Sequence, residues 1–212
     1  MNRAELKAAA KQQIKGKIGV LFLVNLIIFL ISMGLSFLFT FIPIPGASIA
    51  TTIVTAAFTL STIRIYLNVS SGKDVSVSDT FSGFDDFWSS FKVTFLVGLY
   101  TFLWSLLLIV PGIIKMYSYS MSMYVLAENK GKPARECIKE SMAMTDGHKM
   151  DLFVLSLSFI GWELLCCITL GIAGIWILPY MQTTMANVYQ SLKPVPVVFE
   201  ETPVLEPITV EE

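Results

Sequence analysis

Residues 18–42 read IGVLFLVNLIIFLISMGLSFLFTFI, twenty-five consecutive positions without a charged side chain. An α-helix rises 1.5 Å per residue, so about 20 apolar residues cross the ~30 Å hydrocarbon core of a bilayer. This run exceeds that length. A basic segment precedes it and Ser-Ile-Ala at 48–50 resembles a cleavage site, but secretory signals carry apolar cores of only ~7–15 residues. The stretch therefore predicts a retained membrane span, and the fold follows from it.

The rest of the chain agrees in composition. Of 212 residues, 54% are hydrophobic and only 15% charged, against about a quarter charged in soluble domains. The mean hydropathy is +0.68. The expected class is an all-α integral membrane protein. A net charge of −1 argues against nucleic acid as a partner. Cys137, Cys166 and Cys167 form neither a disulfide framework nor a zinc spacing, and no cofactor is expected.

Further apolar stretches occupy 47–69, 92–110, 111–127, 151–170 and 175–192. With the first they predict six transmembrane helices paired as three hairpins. The turns are IPIPGA (42–47), VPGI (110–113) and LGIAG (170–174), where Pro and Gly interrupt helix. An amphipathic segment precedes each hairpin. In the first, Arg3, Lys7, Lys11 and Lys15 recur every four residues, and Leu6, Ala10, Ile14 and Ile18 keep the same interval. In the second, Phe84, Phe87, Trp88 and Phe91 share one helical face over 79–92, and 134–146 is amphipathic in turn. Such helices lie among lipid headgroups with their lysines snorkelling. KGKIGVLFLV in the first unit matches DGHKMDLFVL in the third, which suggests one unit used three times, over 3–72, 73–130 and 131–193, within a membrane domain 1–193. The Pro- and Glu-rich tail 194–212 is expected to be disordered.

Orientation follows from the cations. All Lys and Arg except Lys115 lie before the first span, near or between the hairpins, or after the last span. Positive segments stay cytoplasmic, so six spans place both termini inside; the alternative is that the shorter second and third hairpins are re-entrant, with fewer true crossings.

Little of this points to catalysis. His148 is the only histidine, and no nucleophile elbow, metalloprotease, P-loop or dinucleotide motif occurs. Glu163 is more informative, because it lies inside SFIGWELLCCITLGIAGIW (158–176), and a mid-membrane charge costs about 2.5–3.5 kcal/mol on insertion scales. Counted from the outer ends of their spans, Glu163 and Lys115 lie at similar depth and predict a pair. That pair is either a proton- or substrate-linked site or a structural pin. In span four, Tyr117, Met121 and Tyr124 share one face, and Ser118 and Ser122 another. These hydroxyls would line a polar path or bond between helices.

The segments RAELKAAAKQQIKGK, PGIIKMYSYSMSMYVLAEN, CIKESMAMTDGHKMDLFVLSLSFIGWELL and GIWILPYMQTTMANVYQSL resemble a family of bacterial integral membrane proteins catalogued as domain of unknown function 975. The resemblance spans most of residues 3–192. It implies a multi-pass cytoplasmic-membrane protein and assigns no activity. Two functions are therefore expected. The first is a non-enzymatic accessory, assembly or lipid-organising module, with the bilayer and a membrane-protein partner or second copy as partners. The alternative is a small transporter or channel with a polar path at Lys115 and Glu163.

Overall fold

The computed structural model describes residues 2–41, 47–169 and 171–193, and within these all regular structure is helical. The helices are α1 (Arg3–Gln13), α2 (Ile18–Phe41), α3 (Ala47–Ser70), α4 (Phe87–Leu107), α5 (Ile109–Tyr119), α6 (Ser122–Glu128), α7 (Ala134–Met144), α8 (Lys149–Ile168) and α9 (Gly174–Leu192). A 3-10 segment, Val77–Asp86, runs directly into α4. Among the described residues, four stretches are long and apolar enough to cross a membrane: Ile18–Leu38, Thr51–Ser70, Val77–Leu107 and Lys149–Ile168. The tail and most of the first predicted turn lie outside the described residues.

The amphipathic segments differ from one another. α1 and α7 leave into α2 and α8 through the same turn. Gly16 and Gly147 take φ of +80° and +76°, a region open to glycine without a Cβ penalty. The amides of Ile14, Lys15, Lys17 and Leu21 donate to Ala10, Gln12, Ile14 and Lys17, and those of Thr145, Asp146, His148 and Leu152 donate to Ser141, Ala143, Thr145 and His148. The two turns therefore share their hydrogen bonds as well as their glycine.

The second segment departs from the helical face expected over 79–92. Ser76 and Asp79 form a capping box that starts the 3-10 segment, and Gly83 presses it onto α3, its amide donating to Ser61 Oγ at 2.8 Å. The change of helix type splits the aromatic face. Phe84 meets Phe58 of α3 edge-on at 5.1 Å, whereas Phe87, Trp88, Phe91 and Phe95 form a ladder on α4 with ring spacings of 5.9, 5.7 and 6.0 Å.

Two further corrections concern the second hairpin. The reversal is at Leu108, whose backbone is extended, and not at Pro111-Gly112. Pro111 falls in the first turn of α5, where its missing N–H would have had no helical partner. Gly112 is required for close approach, since a Cβ there would stand 2.3 Å from Ser105 Oγ and 2.8 Å from Ser105 Cα. The expected span 111–127 is also broken, because α5 ends at Tyr119 and α6 starts at Ser122.

Burial is polarised along the hairpins. The core joins Ala10 and Ile14 to Leu21 and Val24, the second half of α3, α6, α7, the first half of α8 and the second half of α9. Gln13, Asn187, Ser70 and Gln190 tie α1, α3 and α9 together there: Asn187 donates to Gln13 Oε1 at 2.9 Å, Gln13 to the Ser70 carbonyl at 2.8 Å, and Gln190 to Ser70 Oγ at 2.7 Å. At the opposite end Phe37, Leu106, Leu107, Ile109, Ile168 and Ile172 are all exposed. Helices α2 and α3 touch only sparingly, as do α8 and α9, while α4 and α5 pack closely.

Candidate functional site

The structure does not bring Lys115 and Glu163 together. The ring of Tyr117 on α5 meets Phe153 on α8 edge-on at 6.0 Å, which fixes the relative depth of these helices. Lys115 lies two residues from Tyr117, or about 3 Å, whereas Glu163 lies ten residues beyond Phe153, or about 15 Å. Counting from span ends misjudged this because α5 is short. Lys115 Nζ instead stands 5.0 Å over the Trp104 ring, a cation–π contact across the hairpin. Glu163 is exposed on α8, and among the described residues its side chain makes no ion pair or hydrogen bond.

The hydroxyls of span four do not form a path. Ser118 donates to the Ile114 carbonyl at 3.0 Å and Ser122 to the Tyr119 carbonyl at 2.8 Å, and both residues are buried. Tyr124 is buried and stacks on Tyr189 of α9 at 5.4 Å. What the sequence did not reveal is the role of α7 here. Ser141 Oγ accepts the Met121 amide at 3.1 Å and donates to the Ser118 carbonyl at 2.8 Å. Thr145 Oγ1 donates to the Ser141 carbonyl at 2.8 Å and approaches the Ser118 carbonyl at 3.3 Å. The α5–α6 break frees backbone groups in a buried place, and these hydroxyls satisfy them.

The basic stripe of α1 meets protein on one side. Arg3 Nε is 3.9 Å from Asp151, and Lys7 donates to Ser158 Oγ at 2.5 Å while standing 4.5 Å over Phe159. Lys11 lies 5.7 Å over Tyr180, and Lys15 is exposed. Burial, with the neighbouring charges of Lys11 and Arg3, holds the Lys7 ammonium below its ordinary pKa. His148, at the start of α8, is 3.5 Å from Asp151.

A polar cavity lies at the buried end, has a volume of about 450 Å³, and is lined by Arg64, Asn68, Asp79, Glu128 and Lys130 among others. Arg64 is its anchor. The guanidinium donates to Asp86 Oδ2 at 2.5 Å, to the Ser82 carbonyl, and to the Ala127 carbonyl at 3.4 Å. One side chain thus joins α3, the 3-10 segment and α6. Glu128 accepts the Tyr189 hydroxyl at 3.0 Å and pairs with Lys193, and Lys130 stands 3.6 Å from Asp85. Most charges here are matched within the protein, so the cavity reads as a junction of elements more than as a vacant receptor. Arg64 is one of the cations that the sequence places near or between the hairpins, and its position six residues before the end of an otherwise uncharged helix was the available signal.

Among the described residues no three His, Cys, Asp or Glu side chains cluster as a metal site. Cys137 is fully buried, and burial pushes its thiol up to about 11, which is the behaviour of a structural thiol and not of a nucleophile.

No curated protein and no solved structure matches the chain. A family model does match, over residues 1–118 and 106–195, which together take in every helix described above. The chain belongs to the family described as protein of unknown function (DUF975).

Proposed function

We propose that the chain is a non-enzymatic, multi-pass membrane module that organises lipid or assembles membrane partners. The polarised burial carries this reading. One end is a consolidated core of amphipathic and membrane helices. The other presents hairpin ends covered with exposed Phe, Leu and Ile side chains, which gain nothing from water and everything from lipid or another apolar protein surface. Transport is the weaker reading, since Lys115 and Glu163 are apart and the serines of span four are satisfied by backbone.

In this reading α5 with α6, and α9, complete six crossings, and the charged segments and both termini lie on the cytoplasmic side of a bacterial cell membrane. The shared turn at Gly16 and Gly147 supports a common ancestry for the first and third units. A photo-crosslinking side chain placed at Leu106 or Ile168 tests the reading in native membranes. A defined adduct with lipid, with a second copy or with one membrane protein is expected. A solute or proton flux in proteoliposomes that Glu163→Gln abolishes, while the variant stays folded, would overturn it.

A further inference from the structure

Where α4 leaves the 3-10 segment it faces the start of α7 across an apolar groove of about 410 Å³. Phe91, Phe95 and Leu96 supply one wall and Pro133 with Ala134 the other, and Lys92 and Arg135 flank it. Phe91 and Phe95 belong to the stacked ladder that begins at Phe87 and Trp88, so an apolar track leads from the groove along α4.

Among the described residues the two cations, like Lys139 one turn further along α7, lack the acidic partner that most cations nearby have. Lys130, Lys132, Lys149, Lys193 and Arg64 each face an acidic partner. Among the described residues Lys92 and Arg135 have none. Both are exposed, and Lys92 Nζ reaches only the Trp88 ring, at 5.8 Å. The nearby acids are committed elsewhere, Asp86 to Arg64, Asp85 to Lys130 and Glu140 to Lys132. Glu136 is the exception, but it stands roughly 100° around α7 from Arg135. The same corner also holds the N-terminus of α7, which no side chain caps, and a helix start favours negative charge.

We infer that this groove holds one anionic phospholipid, its phosphate between Lys92 and Arg135 and an acyl chain along the Phe91–Phe95 face. A free anion would leave the aromatic wall uncovered, and a zwitterionic lipid would bring a cation to a corner that already carries two. Cations at headgroup depth bind anionic lipid through charge, and an adjoining apolar wall holds the chain. The inference rests on the membrane-module reading and specifies one lipid for one place on it.

The test is native mass spectrometry of the full chain in detergent, with equal amounts of phosphatidylglycerol and phosphatidylcholine of identical acyl chains. Preferential retention of phosphatidylglycerol is expected. Lys92→Gln with Arg135→Gln should weaken it about fivefold for each cation removed. Lys11→Gln with Lys15→Gln, which removes equal charge on α1, away from the groove, should leave it unchanged, as should Lys92→Arg with Arg135→Lys. Equal retention of the two lipids, retention in the Lys92/Arg135 glutamine variant, loss in either control pair, or displacement of lipid by inorganic phosphate would each overturn the assignment. None of these results touches the broader reading, which fails instead on flux in the wild-type protein.

Discussion

Ser141 of α7 and Ser118 of α5 are joined at 2.8 Å, hydroxyl to carbonyl, and the same hydroxyl accepts the Met121 amide at 3.1 Å. An amphipathic helix thereby repairs the break between α5 and α6. Ser141→Ala leaves both backbone groups buried without that partner, at a cost of about 1–3 kcal/mol. Thermal unfolding in detergent should show the loss. Thr145→Ala should cost less, because its bond to the Ser118 carbonyl is longer, at 3.3 Å.

Gly83 is the tightest contact between the 3-10 segment and α3. A Cβ would meet the Ala57 carbonyl oxygen at 2.1 Å and the Ser61 amide at 2.8 Å, both backbone atoms. Gly83→Ala should therefore force the segments apart and lower stability by about 1–3 kcal/mol or more. A methyl group at Gly98 on α4 would meet nothing within 4 Å, so Gly98→Ala should be neutral or stabilise by about 0.5–1 kcal/mol. Parallel melting curves of the two variants check the contrast.

Arg64 and Asp86 have side chains only 10% and 15% exposed. Removing one charge strands the other, a loss of about 3–5 kcal/mol for a buried pair. Arg64→Met should thus be much more damaging than a surface Lys→Met, and Asp86→Leu added to it should recover part of the loss. A double-mutant cycle on thermal unfolding measures that coupling.

Cys137 gives a pH signature. Its thiol ionises at about 11 in the folded protein against an ordinary 9.0. Because the unfolded chain releases this proton first, the stability the thiol contributes is complete below 9.0 and declines as pH rises towards 11. Cys137→Ala should flatten that part of the alkaline unfolding profile, measured against wild type.

Helix positions were legible in the sequence because apolar runs without charge report bilayer length directly. The first span could be read in this way, and the match of KGKIGVLFLV with DGHKMDLFVL marked where the structure places a shared turn at Gly16 and Gly147. The break at Ser120–Met121 could not, since its stabilising hydroxyl comes from Ser141, twenty residues later, and no local pattern encodes that meeting. Glu163 was legible as unusual, but its lack of a pairing with Lys115 was not. Pairing it with Lys115 required the relative depth of α5 and α8, which the Tyr117–Phe153 contact sets. Arg64 was passed over for a similar reason, as two of its three acceptors are backbone carbonyls that any residue could supply.

Cysteine accessibility tests the arrangement of hairpins most directly. In a chain with Cys137, Cys166 and Cys167 replaced by serine, single cysteines would be placed at Lys15, Asp74, Lys139, Leu108 and Ile172, and intact spheroplasts exposed to an impermeant maleimide. Six crossings with the charged segments inside predict labelling at 108 and 172 before lysis and at 15, 74 and 139 only after it. Labelling of any charged-segment cysteine in intact cells, or of 108 or 172 only after lysis, would contradict it.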